Sequence, residues 1–113
     1  PYHYQKELLE YCNSKNIIIE AYSPLVHAKR MDEPRLMAIS DELGKTPAQV
    51  LIRWAIQRGM VVLPKSVNQD RIVENFAVFD FDISNSLMKR LDDLDERYVT
   101  CWDPHNPPPY APV

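Results

Sequence analysis

The residues best suited to chemistry lie between Val61 and Asn75, in the stretch VVLPKSVNQDRIVEN. An apolar run stops at Pro64, Lys65 and Ser66 follow, and after a turn come Arg71, Glu74 and Asn75. Lysine offers a point charge, and arginine a planar fork that can hold two phosphate oxygens. Backbone N–H groups at the start of the next helix would point into the same space, with the positive end of the helix dipole behind them. Glu74 and Asn75 fall one helical turn beyond Arg71, close to it in space. They are acceptor and donor groups of the kind that reads the edge of a base. Together these residues describe a pocket for a phosphate monoester joined to a ring with hydrogen-bonding edges. The same residues also suit a capped helix with a solvated basic face, and residue types alone leave both readings open.

Other chemistry-bearing residues point to blander roles. His27 and His105 have no neighbours at metal-ligand spacing and read as surface histidines. Asp92, Asp93, Asp95 and Glu96 read as a solvated acidic helix face rather than a catalytic carboxylate pair. Met31, Met37, Met60 and Met88 read as core or loop residues. The proline-rich tail, residues 103–113, has the composition of a groove-docking segment, but a plain irregular terminus is the simpler expectation.

These residues need elements to hold them. The chain has 113 residues, enough for one small domain with a modest core. Its net charge of −3 gives no general reason to expect nucleic acid or an anionic membrane surface as partner. No apolar run approaches the roughly 20 residues of a membrane span, and no signal peptide is visible. Cys12 and Cys101 stand far apart, outside any CxxC pattern, and read as reduced thiols. The default compartment is the cytoplasm. The chain starts at Pro1 and is almost at once in helical pattern, which reads as a piece of something longer.

A helix is expected over Glu7 to Asn13, with Leu8, Leu9, Tyr11 and Cys12 on its buried side and Asn16 closing it. Ile17, Ile18 and Ile19 suggest a strand buried on both faces, ending at the turn Ser23-Pro24. A second helix is expected from Pro34 to Leu43, stopped by Gly44. Thr46-Pro47 is a cap followed by proline at the first helical position, opening a helix to Gly59 with Val50, Leu51, Trp54 and Ile56 buried. Val61 to Leu63 forms a second buried strand. Asn68 or Ser66 caps the next helix, and Ser84 caps a last one reaching about Arg97. Strands alternating with helices mean an α/β fold with a parallel sheet. Two strands alone leave open edges and one poorly covered face, so part of the fold is expected to lie outside this chain.

GKTPAQVLIRWAIQRGMVVLPKSVNQDRIVENFAVFDFDIS resembles the C-terminal region of the aldo-keto reductases. KTPAQV, RW, RG, LPKS and RI-x-EN occur in that family's order and spacing. PYHYQKELLEYC and IIIEAYSPL are similar to its sixth helix, its seventh strand and the loop after that strand. The resemblance fades after about Tyr98. It implies the C-terminal part of a TIM (β/α)8 barrel across residues 1–113, from an enzyme that reduces aldehydes or ketones with NADP(H). Carried over residue by residue, it implies that Lys65, Arg71 and Ser66 hold the 2′-phosphate, with the Val67 backbone beside them. Glu74 and Asn75 would meet the adenine, Tyr22 would stack under the nicotinamide, and Ser23 and Leu25 would contact the pyrophosphate. Trp102 would line the substrate mouth.

The family's catalytic tyrosine, lysine, aspartate and histidine would all lie upstream of this chain. Tyr2, His3 and Tyr4 do not replace them, because no lysine–aspartate pair accompanies them. The sequence departs from the family in three places. Val26-His27-Ala28-Lys29 follows Leu25 where many members have glycine, Asn16 stands where many have glycine, and the tail carries no readable substrate signature. Implied partners are a small carbonyl substrate and the missing N-terminal part of the barrel. The alternative is a non-catalytic fragment that binds NADP or self-associates through open strand edges.

Overall fold

The structure is a computed structural model and describes residues 1–100. Expectations for Cys101, Trp102, His105 and the proline-rich tail therefore lie outside the described residues. The elements in order are α1 (Lys6–Ser14), β1 (Glu20–Tyr22), a 3-10 turn (Val26–Ala28), α2 (Pro34–Leu43), α3 (Pro47–Gln57), β2 (Val61–Leu63), α4 (Gln69–Phe76) and α5 (Asn85–Asp92). β1 and β2 pair in parallel, with Glu20 opposite Val61, Ala21 opposite Val62 and Tyr22 opposite Leu63. Helices α2 and α3 form the crossover between them.

The stop and start signals work as the residue types require. Glu33 caps α2 by accepting the Leu36 N–H at 2.9 Å, and Gly44 ends it in the left-handed region at φ 61°. Thr46 and Gln49 form a reciprocal capping box at the start of α3. Asn68, not Ser66, caps α4, its Oδ1 accepting the Arg71 N–H at 3.0 Å.

Most of the core lies between helices. Leu36 and Ile39 of α2, Val50, Leu51, Trp54 and Ala55 of α3, and Met88 and Leu91 of α5 pack with Tyr2, Ile83 and Leu94. The Tyr4 ring meets Trp54 edge-on, 5.2 Å between centroids. Tyr2 and Tyr4 are thus packing residues.

Several expectations need correction. The isoleucine run is not the strand. The ladder opposite Val61–Leu63 takes in Glu20–Tyr22, and Ile18 is left 75% exposed. Neither strand is buried on both faces, since Glu20, Tyr22, Val61 and Leu63 are all exposed. The described residues supply no further strand or helix to cover that side. In α1 only Leu9 is buried, and Leu8 and Tyr11 face outward. Helix α5 ends at Asp92, short of Arg97, because residues 95–98 leave it to bond the N-terminal segment. Glu96 and Tyr98 N–H groups donate to the Tyr2 carbonyl at 3.1 and 2.8 Å.

The acidic run is exposed at Asp93, Asp95 and Glu96, as a solvated face would be, but it runs past the end of α5 and three of its members hold partners. Asp92 accepts from Trp54 Nε1 at 2.8 Å and from the Arg58 guanidinium. Asp95 accepts the Tyr4 N–H at 3.2 Å, and Glu96 pairs with Arg30 and Arg35. Linear spacing could not show this, because every one of those partners comes from a distant part of the chain.

Candidate functional site

Parallel pairing brings both strand exits to one end of the sheet. With Tyr22 opposite Leu63, the segments that begin at Ser23 and at Pro64 emerge side by side. Ligands of parallel α/β folds bind at this carboxyl end. Between the two exits opens a cleft of about 890 Å³. One wall is the loop from Ser23 to Met31, and the other runs from Leu63 through Lys65 and Ser66 to Arg71, Glu74 and Asn75 on α4. Thr46, Pro47 and Ala48, at the start of α3, also line it.

Of the residues singled out from sequence, the cleft gathers Ser23, Leu25, Lys65, Ser66, Arg71, Glu74 and Asn75. Tyr22 and Val67 do not line it, and are 59% and 87% exposed. Trp102 lies outside the described residues.

The charges are arranged unevenly. Arg30, Arg35, Arg53, Arg58 and Arg90 each hold a carboxylate. The side chains of Lys65 and Arg71 make no ion pair and no hydrogen bond among the described residues. Two cations are therefore left uncommitted on one cleft. The carboxylate that shares the cleft with them, Glu74, is engaged elsewhere, with Thr46 Oγ1 donating to its Oε1 at 2.5 Å. Gln49 Nε2 holds the same turn of α4 by donating to the Glu74 and Ala77 carbonyls at 3.2 and 3.1 Å. Ser66 Oγ serves its own turn, accepting the Asn68 N–H at 3.1 Å. Asn75 is only 8% exposed, yet its amide has no hydrogen-bond partner among the described residues. Its amide atoms are not fully shielded, and this donor–acceptor pair can meet a ligand in the cleft.

Matching against family models assigns residues 1–96 to the description Aldo/keto reductase family. The chain belongs to the aldo/keto reductase family. An uncharacterized oxidoreductase of Schizosaccharomyces pombe, C2F3.05c, is 45% identical over 104 residues, covering 92% of this chain and 38% of the relative. Aldo-keto reductase family 1 member A1-A of Danio rerio is 42% identical over 111 residues, 88% of this chain and 34% of the relative. Among solved structures, Gox0644 in its apoform matches with TM-score 0.89 at 33% identity, over 97% of this chain and 41% of that one. A Gox0644 mutant in complex with NADPH matches with TM-score 0.81 at 36% identity, over 86% of this chain and 36% of that one. This aldo/keto reductase chain thus spans about two-fifths of the length of its relatives. Its two parallel strands and surrounding helices are part of a TIM barrel.

Two cleft residues escaped the reading of the sequence. Thr46 was legible as a helix cap but not as a neighbour of Glu74, since a separation of 28 positions hides the contact. His27 reads as a surface histidine, and only the folding back of its loop sets it on the cleft wall.

Proposed function

We propose that the cleft binds NADP(H), and that the chain supplies the coenzyme-binding part of an aldo-keto reductase that reduces aldehydes or ketones. The observation that carries the reading is the pair of uncommitted cations, Lys65 and Arg71, on one cleft with Asn75, whose side chain makes no hydrogen bond among the described residues. A 2′-phosphate is a doubly charged group that such a pair answers, and each charge-assisted contact contributes on the order of 1.5–3 kcal/mol. Asn75 and Glu74 would take the adenine edge, with Thr46 holding the Glu74 carboxylate in place. Ser23 and Leu25 would face the pyrophosphate, Ser66 and the Val67 backbone the phosphate monoester, and Tyr22 the nicotinamide face. The NADPH complex of the structural relative supports this choice of coenzyme. When bound, the coenzyme would supply hydride to the carbonyl carbon. The proton donor and its partners would come from βα units that this chain does not contain.

Fluorescence titration of the chain with NADPH and NADH tests the reading. NADPH should bind more tightly, and the double variant Lys65→Met/Arg71→Met should lose most of that advantage while NADH binding changes little. Equal weakening of both would refute the assignment to the 2′-phosphate. With a panel of aldehydes, the chain alone should consume no NADPH.

A second reading, association through the strand edges, is favoured by a different surface. An apolar cleft of about 760 Å³ lies beside β2, walled by Ile56, Val61, Ile72, Val73, Phe76 and Phe79 among others.

A further inference from the structure

Helix α4 ends without a stop of its own. Its C-cap is Ala77, and its last turn holds neither a glycine nor a basic residue to meet the freed carbonyls. Those carbonyls are met from another helix. Gln49, buried in the first turn of α3, donates from Nε2 to the Glu74 and Ala77 carbonyls, and its Oε1 accepts the Thr46 N–H at 3.1 Å. Arg53 and Gln57 continue the same face of α3 at four-residue spacing. Arg53 donates to the Val78 carbonyl at 3.2 Å, and Gln57 bonds both the N–H and the carbonyl of Ile83. One face of α3 thus straps down the chain from the last turn of α4 to the residue before the cap of α5. The two carbonyls held by Gln49 flank Asn75, which lines the cleft, whereas Gln49 itself does not.

We propose that Gln49 is a positioning residue for the adenine of the coenzyme: its two donated bonds fix the last turn of α4 so that the Asn75 amide meets the base edge. This rests on the nucleotide reading of the cleft. Adenine presents an N6 donor beside an N7 acceptor, which one amide matches with its oxygen and its nitrogen. The match is directional, so a shift of the backbone at residue 75 breaks it. The cations are held independently of Gln49. Lys65 stands in the segment after β2, and Arg71 in the first turn of α4, whose N–H is capped by Asn68. Gln49 therefore acts on recognition of the base and leaves recognition of the phosphate alone.

The test is binding of three reduced coenzymes to the full chain: NADPH, NADH, and the NADPH analogue with hypoxanthine in place of adenine. Hypoxanthine offers two adjacent acceptors, O6 and N7, which one amide cannot satisfy whichever way it is turned. The wild-type chain should bind NADPH roughly 10-fold more tightly than the hypoxanthine analogue. Gln49→Glu keeps an acceptor for the Thr46 N–H, as a capping box allows, but when ionised has no donor for the α4 carbonyls. It should lose most of the preference for adenine and keep the preference for NADPH over NADH. Gln49→Met, which adds no charge, should do the same. Circular dichroism confirms that each variant is folded. Retention of the adenine preference in both variants would overturn the proposal and leave Gln49 a helix cap. Loss in the Glu variant alone would trace the effect to the added charge and also overturn it, as would loss of both preferences together, which marks a general disturbance of α4. A wild-type chain that prefers NADPH to NADH but does not distinguish the bases would reject this inference and keep the phosphate reading. Failure of the wild-type chain to bind any of the three would reject both.

Discussion

Glu33 shows how much a single side chain can hold. Burial works to raise its pKa, but the bonds from Arg35 Nε and the Leu36 amide outweigh it, and the pKa is lowered from 4.5. Lys45 acts on Asp80 in the same direction through a direct hydrogen bond. An acid with a depressed folded pKa adds stability above its unfolded pKa and loses it as pH falls through the folded value. Urea midpoints should therefore drop below about pH 4.5, and Glu33→Gln should flatten that acid limb while lowering the plateau by about 1 kcal/mol for the weakened cap. An acid limb identical to wild type would show that Glu33 is not one of the groups responsible. Tyr2 works at the other end of the scale. Burial, ahead of the nearby charges, lifts its phenol to about 12, and its hydroxyl donates to the Arg30 carbonyl.

Among the elements, α3 carries the most. Its capping box satisfies two backbone groups at once, and its first residues form part of the cleft. Thr46 joins these roles, because one hydroxyl accepts the Gln49 N–H at 3.3 Å and donates to Glu74. Thr46→Ala should cost about 1–2 kcal/mol by chemical denaturation. It should also weaken NADPH and NADH alike, since the adenine is common to both, whereas Thr46→Ser should restore both properties. If only stability changes, Glu74 does not need the threonine to meet a ligand. The starts of α2, α3 and α4 and the stops of α2 and α3 were legible in the sequence, because capping chemistry is local: Thr46, Asn68 and Gly44 act on backbone groups within a few residues. The end of α5 and the place of β1 were not. Each depended on a distant partner, the Tyr2 carbonyl in one case and the Val61–Leu63 ladder in the other.

At the scale of the molecule, a parallel pair with both outer edges unpaired among the described residues is a template for further strands. Exposed Val61, Phe76 and Phe79 lie on the apolar side of this edge. Light scattering of the chain alone should give a mass above its 13.2 kDa, and Phe76→Lys/Phe79→Lys should bring it down toward that value. A monomeric wild type would count against pairing through this surface. The order of helices and strands, most of the caps and the presence of residue types suited to a phosphate were determined by the sequence alone, because periodicity, turn chemistry and charge act over a few positions. Its likeness to a barrel family likewise came from motifs that are short and contiguous. Only the tertiary structure decided which of those residues share a cleft. The parallel register set two strand exits side by side, which put His27 and Thr46 beside Lys65, Arg71 and Glu74, and acids hold Arg30, Arg35, Arg53, Arg58 and Arg90 while Arg71 stays uncommitted. Side-chain pairing across some thirty to sixty residues is a property of packing, and no local pattern encodes it.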